Sequence, residues 1–161
     1  MRRSVAALIF SLLGVCAHAQ FVVVEANRAV SGPSKYPIAV APDRVGKFPA
    51  MVKSGAGYFY DEVLEYRVWL HPERGAVPKN GGNDYFIAFS QYERALEYSK
   101  KSTGAEPPLV LIRQFEHINE PKPGVFEVVR GERIAEWRVE WLEGSKRVPG
   151  AIEKFIAGRK R

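Results

Sequence analysis

Residues 84–101 decide the fold, because their sequence, DYFIAFSQYERALEYSKK, joins a strand pattern directly to a helix pattern. Residues 84–89 predict a strand in which Tyr85, Ile87 and Phe89 face one way. Ser90 and Glu93 have the spacing of a capping box, in which the hydroxyl accepts a hydrogen bond from a free backbone N–H and the glutamate reaches back. We therefore expect a strand that leads into a helix running from Gln91 to about Lys101.

The pattern continues outward from this junction on both sides. Further strands are predicted over 63–70, 109–118, 125–130 and 134–142, with a break at Gly131, and Pro149 opens a short C-terminal helix. The short connections among the last three strands favour antiparallel pairing, with helices covering one face. The predicted class is α+β: a mainly antiparallel sheet of about five strands with one central helix and a short C-terminal helix, in the order β-β-α-β-β-β-α.

The last predicted strand has two chemically different faces. Trp137 shares one face with Val139 and Trp141, and Glu136 shares the other with Arg138 and Glu140. Alternating opposite charges are typical of a solvated strand face with ion pairs across it. We therefore expect Glu136 to be exposed.

The N-terminus has the three-part layout of a cleavable signal peptide. Arg2 and Arg3 precede an uncharged apolar run over 5–15, and Ala17 and Ala19 stand at the positions that a signal peptidase recognises, before Gln20. A membrane span needs about 20 apolar residues, more than this run offers. Cys16 suggests a lipoprotein variant, but the bulky Val15 before it favours a soluble product.

Four segments follow from this interpretation. They are a signal peptide over 1–19, a Pro/Gly-rich N-terminal arm over 20–57, an α+β domain over 58–158 and a basic tail over 159–161. The arm either wraps the domain in extended form or is loose. The predicted location is periplasmic or secreted. It becomes cytoplasmic if translation starts at Met51.

Charge and cysteine content exclude some functions. The chain has 24 basic and 18 acidic residues, but five of the basic ones lie in the signal peptide and the tail. The rest of the chain is nearly neutral, which argues against a nucleic-acid partner. Signal cleavage removes the only cysteine, Cys16, so the mature chain contains no disulfide. No segment of the mature chain is predicted to span a membrane.

Residues with catalytic or metal-binding chemistry are sparse. Only His71 and His117 remain after cleavage, and the spacing to nearby acids does not predict converging ligands. No serine lies in a G-x-S-x-G elbow, and the glycines of 55–57 and 80–83 precede strands rather than helices. We therefore assign no catalytic residue, no metal site and no cofactor. A catalytic carboxylate pair like that of glycosidases stays an open alternative, because the 18 acidic residues allow many pairings in space.

Three segments resemble a known family. Leu64-Glu65-Tyr66-Arg67-Val68-Trp69-Leu70-His71-Pro72, residues 83–89 and residues 136–142 resemble a small uncharacterised bacterial domain family whose members often carry a GNAT-type N-acetyltransferase label. That resemblance implies acyl transfer from acetyl-CoA, held by an [RQ]-x-x-G-x-[GA] loop at a helix N-terminus. No such loop precedes either predicted helix, so no catalytic residue carries over.

Three classes of function remain: a binding module, an acetyltransferase and, in third place, a hydrolase. The favoured hypothesis is a non-catalytic binding or interaction module, whose partner is an unknown protein or small ligand. Its rim would include Tyr60, Trp69, His71 and Asn83, because aromatic and polar side chains there flank a long loop. The alternative is an acetyltransferase-like protein, on the resemblance alone.

Overall fold

The computed structural model describes residues 22–23, 32–49 and 59–159, and these contain an α+β fold with a mainly antiparallel sheet. Both the class and the antiparallel sheet are as predicted. The predicted signal peptide and its cleavage residues Ala17, Ala19 and Gln20 lie outside the described residues. The strands are β1 (Val22–Val23), β2 (Glu62–Leu70), β3 (Tyr85–Phe89), β4 (Leu109–Lys122) and β5 (Val125–Arg138), and the helices are α1 (Tyr92–Lys101) and α2 (Ala151–Arg159).

The sheet has the order β1-β3-β2-β4-β5. β2, β3, β4 and β5 pair antiparallel, and the two-residue β1 pairs parallel with β3. The prediction of about five strands is corrected to four antiparallel strands plus this short edge pairing. The two strands predicted on either side of Gly131 form a single strand, β5.

Gly131 explains the error in strand number. Its φ is 141°, which side chains with a Cβ rarely adopt. The pairing register between β4 and β5 shifts at this point, between Gln114 and Glu116. The glycine therefore sits in a β-bulge that bends the strand without ending it.

Both faces of the sheet are covered near its centre. Alternation along β2 places Tyr66 and Val68 in one core, on which α1 packs through Ala95. On the other face, Phe48 packs against Leu64 and Leu111. Residues 32–49, hereafter the arm, therefore wrap the sheet in the described part. Two further backbone hydrogen bonds hold the arm, from the Ala39 N–H to the Ser90 carbonyl and from the Val40 N–H to the Val63 carbonyl.

The arm also changes the start of α1. The helix begins at Tyr92, and the side chain of its N-cap residue Gln91 makes no capping hydrogen bond. The Glu93 carboxylate instead accepts hydrogen bonds from the Ser34 hydroxyl at 2.8 Å and the Lys35 N–H at 2.7 Å. The glutamate of the predicted capping box therefore binds the arm, some 58 residues away in sequence.

Glu136 contradicts the expected solvated face. Only 2% of it is exposed, and it accepts a hydrogen bond of 2.9 Å from the Trp69 indole N–H. β5 ends at Arg138, and residues 139–142 form a 3₁₀ turn in place of the predicted strand end. The polar pattern was wrong here because the arm covers this face of the sheet. The last residue of α2 is Arg159, so the rest of the basic tail lies outside the described residues.

Candidate functional site

The four predicted rim residues do not form one surface. Tyr60 is 4% exposed, and its ring meets Trp137 edge to face in the main core. Trp69 is half-buried beside Phe86 on the other face of the sheet. Tyr60 is therefore buried, and Trp69 is partly accessible, with its indole N–H bonded to Glu136. Sequence alone does not reveal that both faces of the sheet are covered, so it does not show that Tyr60 is buried and Trp69 half-buried.

His71 and Asn83 lie at opposite ends of the loop between β2 and β3. Asn83 is exposed, and the next residue, Asp84, contacts His71 directly. The loop therefore brings the last residues before β3 back to the end of β2. The Tyr85 hydroxyl, which donates to the Val77 carbonyl at 2.9 Å, holds the two parts of the loop together.

A tight turn fixes the backbone at His71. Residues Pro72–Arg74 form a 3₁₀ turn, and Gly75 follows it in the left-handed conformation at φ 92°. The His71 carbonyl accepts hydrogen bonds from the N–H groups of Arg74 and Ala76. Since proline pre-sets the backbone at the start of such a turn, the sequence His-Pro-Glu-Arg-Gly explains why the side chains of residues 71 and 73 lie close together.

The segment after α1 closes against this turn. The His71 N–H donates to the Gly104 carbonyl at 2.9 Å. A Cβ at position 104 would lie 2.5 Å from the Ala76 nitrogen and 2.8 Å from the His71 oxygen. Gly104 is therefore required both by its φ of 70° and by the close approach of the two backbones.

Three carboxylates surround the buried His71 imidazole. Its Nδ1 lies 2.9 Å from Asp84 Oδ2 and 3.7 Å from Glu73 Oε1, and its Nε2 lies 3.1 Å from Glu106 Oε1. The Arg74 guanidinium contacts Glu106 at 3.2 Å. Ligand atoms of residues 71, 73 and 84 all lie within 4.8 Å of one another. Sequence reasoning missed this cluster because loop closure, rather than regular spacing, brings Asp84 and Glu106 to the histidine.

A second feature is the far half of the β4–β5 hairpin. Its exposed apolar residues are Phe115 (44%), Val125 (47%), Val128 (41%) and Val129 (36%). α2 packs beside it, with Phe155 contacting Phe126 edge to face. In the described part of the sheet β5 is a terminal strand, with β4 as its one neighbour.

His117 lies on this hairpin, paired across the strands with Val129. Burial and the nearby positive charge of Arg133 lower the pKa of His117 below its usual value of 6.5. The hairpin therefore keeps this histidine neutral over more of the pH range than a solvated one.

A depression of about 340 Å³ lies at the start of α2. Its polar wall consists of Asp61, Glu116 and Arg147, and Arg147 pairs with both acids, at 2.6 Å and 3.0 Å. The lining also includes Glu153, so three acids face one arginine and the depression does not favour an anionic ligand.

Comparisons with known proteins give no relative: no protein-family model, curated protein or solved structure matches this chain. Among the described residues, neither helix has the length and apolar character that crossing a membrane requires.

Proposed function

We propose that this chain is an exported, non-catalytic binding module that pairs an extended segment of a partner protein with the free edge of β5. The observation that carries the proposal is the exposure of Val125, Val128 and Val129 on a terminal strand. A terminal strand presents unpaired backbone N–H and C=O groups, which are a template for another chain. Backbone hydrogen bonds then supply affinity, and pockets for alternate side chains supply specificity.

The composition of β5 supports a partner of mixed character. Charged residues Glu127, Arg130 and Glu132 are interspersed with the exposed valines. Charged side chains on an edge strand discourage pairing with further copies of the same chain. The expected ligand is therefore a heterologous segment with alternating apolar residues and charges opposite to those of β5.

Export is part of the proposal and is supported by the N-terminal sequence pattern. The arm supplies a further argument, because Tyr36, Val45 and Phe48 are buried in the cores of the sheet. A chain starting at Met51 lacks all three and would expose Leu64 and Leu111. N-terminal sequencing of the native protein tests this, with Gln20 expected and Met51 contradicting export.

A peptide-display selection tests binding. The purified protein is used to select unstructured peptides in parallel with a Val129→Lys variant, in which a charge blocks the edge. Val40→Lys is the control, because Val40 is also an exposed valine but lies on the arm. We expect peptides with alternating apolar residues that bind the wild type and the control but not Val129→Lys. Equal enrichment on all three proteins, or none, contradicts the proposal.

Acetyl transfer is the alternative that the family resemblance suggests. We expect acetyl-CoA to give no heat of binding in calorimetry, because a carboxylate already occupies the first turn of α1. The Ser34 hydroxyl and the Lys35 N–H of the arm donate to the Glu93 carboxylate, which places a negative charge at the helix end where a pyrophosphate would have to bind. Saturable heat with acetyl-CoA would favour the alternative.

A further inference from the structure

We propose that His71, Glu73 and Asp84 bind a first-row divalent metal ion, for which Zn²⁺ is the best match. This site lies in the β2–β3 loop and is independent of the edge of β5. The three side chains offer one nitrogen and two oxygens that converge within 4.8 Å. The inference therefore concerns a second ligand, and its failure leaves the proposed binding edge untouched.

One of the two distances from His71 agrees with a shared ion, and the other is slightly too long. With metal–ligand bonds of about 2.0–2.2 Å and angles from octahedral to tetrahedral, ligand atoms are separated by about 2.8–3.6 Å. His71 Nδ1 lies 2.9 Å from Asp84 Oδ2 and 3.7 Å from Glu73 Oε1. The Glu73 side chain is 63% exposed and the Asp84 side chain 46% exposed. Both have room for the small movement that coordination needs.

The histidine supplies an independent observation. Its side chain is only 10% exposed, and both ring nitrogens are buried without a hydrogen bond, although Asp84 Oδ2 lies 2.9 Å from Nδ1 and Glu106 Oε1 lies 3.1 Å from Nε2. Leaving a buried polar atom unsatisfied is costly, and a bound ion is one of the ways in which such an atom is satisfied. A cation between Nδ1 and the two carboxylates satisfies all three groups at once.

The other side of the ring matches the surroundings of metal-binding histidines. Such histidines usually have a carboxylate beside the second ring nitrogen, which sets the tautomer and the ring orientation. Glu106 Oε1 lies 3.1 Å from Nε2, and Arg74 holds Glu106 at 3.2 Å. Glu106 is in turn fixed through its backbone, because its N–H donates to the Trp69 carbonyl and its carbonyl accepts from the Ser99 hydroxyl.

The ligand set favours a transition metal over Mg²⁺ or Ca²⁺. Imidazole nitrogen suits Zn²⁺, Fe²⁺ or Ni²⁺, whereas Mg²⁺ and Ca²⁺ prefer oxygen ligands alone. Three protein ligands leave at least one coordination position for water. The affinity is expected to be moderate, with a Kd on the order of micromolar, because two of the ligands are largely exposed.

Calorimetry with Zn²⁺ on the chelator-treated full chain tests the site. Asp84→Asn and Glu73→Gln each remove one ligand charge at an exposed position, so the fold is expected to persist. We expect each variant to weaken Zn²⁺ binding by about 10-fold or more, and Ca²⁺ or Mg²⁺ to give no heat. A shift of the His71 side-chain nitrogen resonances on adding Zn²⁺ provides a second readout.

The chain contains a matched control for this experiment. Pro42-Asp43-Arg44 forms a 3₁₀ turn like that of Pro72-Glu73-Arg74. Ala41 stands where the second turn has His71, and Val45 stands where it has Gly75. Asp43→Asn is expected to leave Zn²⁺ affinity unchanged. No binding at about 1 mM Zn²⁺, or the same affinity in wild type, Asp84→Asn and Glu73→Gln, overturns the proposal.

Discussion

Removal of one partner from the Glu65–Arg67 pair is the most informative test of the fold. The two side chains are fully buried, and Arg67 Nε lies 2.7 Å from Glu65 Oε1. The Gly46 N–H donates to Glu65 at 2.6 Å, and Arg67 donates to the carbonyls of Phe48 and Pro49 at 3.2 and 2.8 Å. One buried ion pair therefore adds to the backbone hydrogen bonds and apolar contacts that hold the arm on the sheet.

The expected cost follows from burial. Burial raises the pKa of the Glu65 carboxyl, while the Arg67 charge and the Gly46 N–H oppose that rise. Arg67→Met leaves the carboxylate without its countercharge, and breaking a buried pair in this way costs about 3–5 kcal/mol. That is a large fraction of the roughly 5–15 kcal/mol by which a domain of this kind is stable. Glu65→Leu is expected to cost a similar amount.

The double variant separates the pair from its surroundings. Glu65→Leu with Arg67→Met removes both charges and leaves only the backbone partners unsatisfied, so it should cost no more than the more damaging single variant. Urea unfolding followed by tryptophan fluorescence measures all three changes. Costs that add in the double variant, or single variants within about 1 kcal/mol of wild type, would show that the two buried charges do not depend on each other. Lys101→Gln, in the exposed Glu97–Lys101 pair, is the control and should leave the urea midpoint unchanged.

Three further predictions concern single residues. Hydrogen bonds from the arm hold the pKa of Glu93 below its usual 4.5, although burial opposes this. The ionised Glu93 carboxylate therefore stabilises the fold above pH 4.5, and this stability is lost as the pH falls through the lowered pKa. Acid unfolding of Glu93→Gln should lack this loss of stability. Burial and, next, the Arg133 charge lower the pKa of His117, so the free energy of unfolding should fall as the pH drops below 6.5. Urea midpoints measured at a series of pH values should depend less on pH in His117→Gln than in the wild type. Gly104→Ala should lower the urea midpoint more than Gly124→Ala. Both have a left-handed backbone, which costs about 1–2 kcal/mol, but only at 104 would the new Cβ overlap the 71–76 turn; equal losses would contradict this.

The sequence predicted the parts of the fold that depend on local pattern. Alternation identified β2, and apolar runs identified β3 and β4, whose residues pack in the cores on both faces of the sheet. Amphipathic spacing likewise identified α1, whose Ala95 is buried against the sheet. These elements are predictable because the residues of a buried face are apolar and recur at the spacing of the strand or helix.

Features that depend on contacts between residues far apart in the sequence were not predictable from local pattern. Glu136 lies in an alternating charged pattern, but it is buried and accepts a hydrogen bond from the Trp69 indole of β2. Gly131 marks a bulge as readily as a break, and the partner strand decides between them. His71 and Asp84 are brought together by the closure of a loop without regular spacing. The candidate metal site therefore required the structure.

The most direct test of the proposed function is an NMR titration of the labelled protein with a peptide selected on its edge. We expect the amide resonances of 125–133 to shift and to gain protection from hydrogen exchange, while those of the 71–84 loop do not. Shifts confined to the depression at 148–153, or no shifts at all, would contradict the claim that the free edge of β5 is the binding surface.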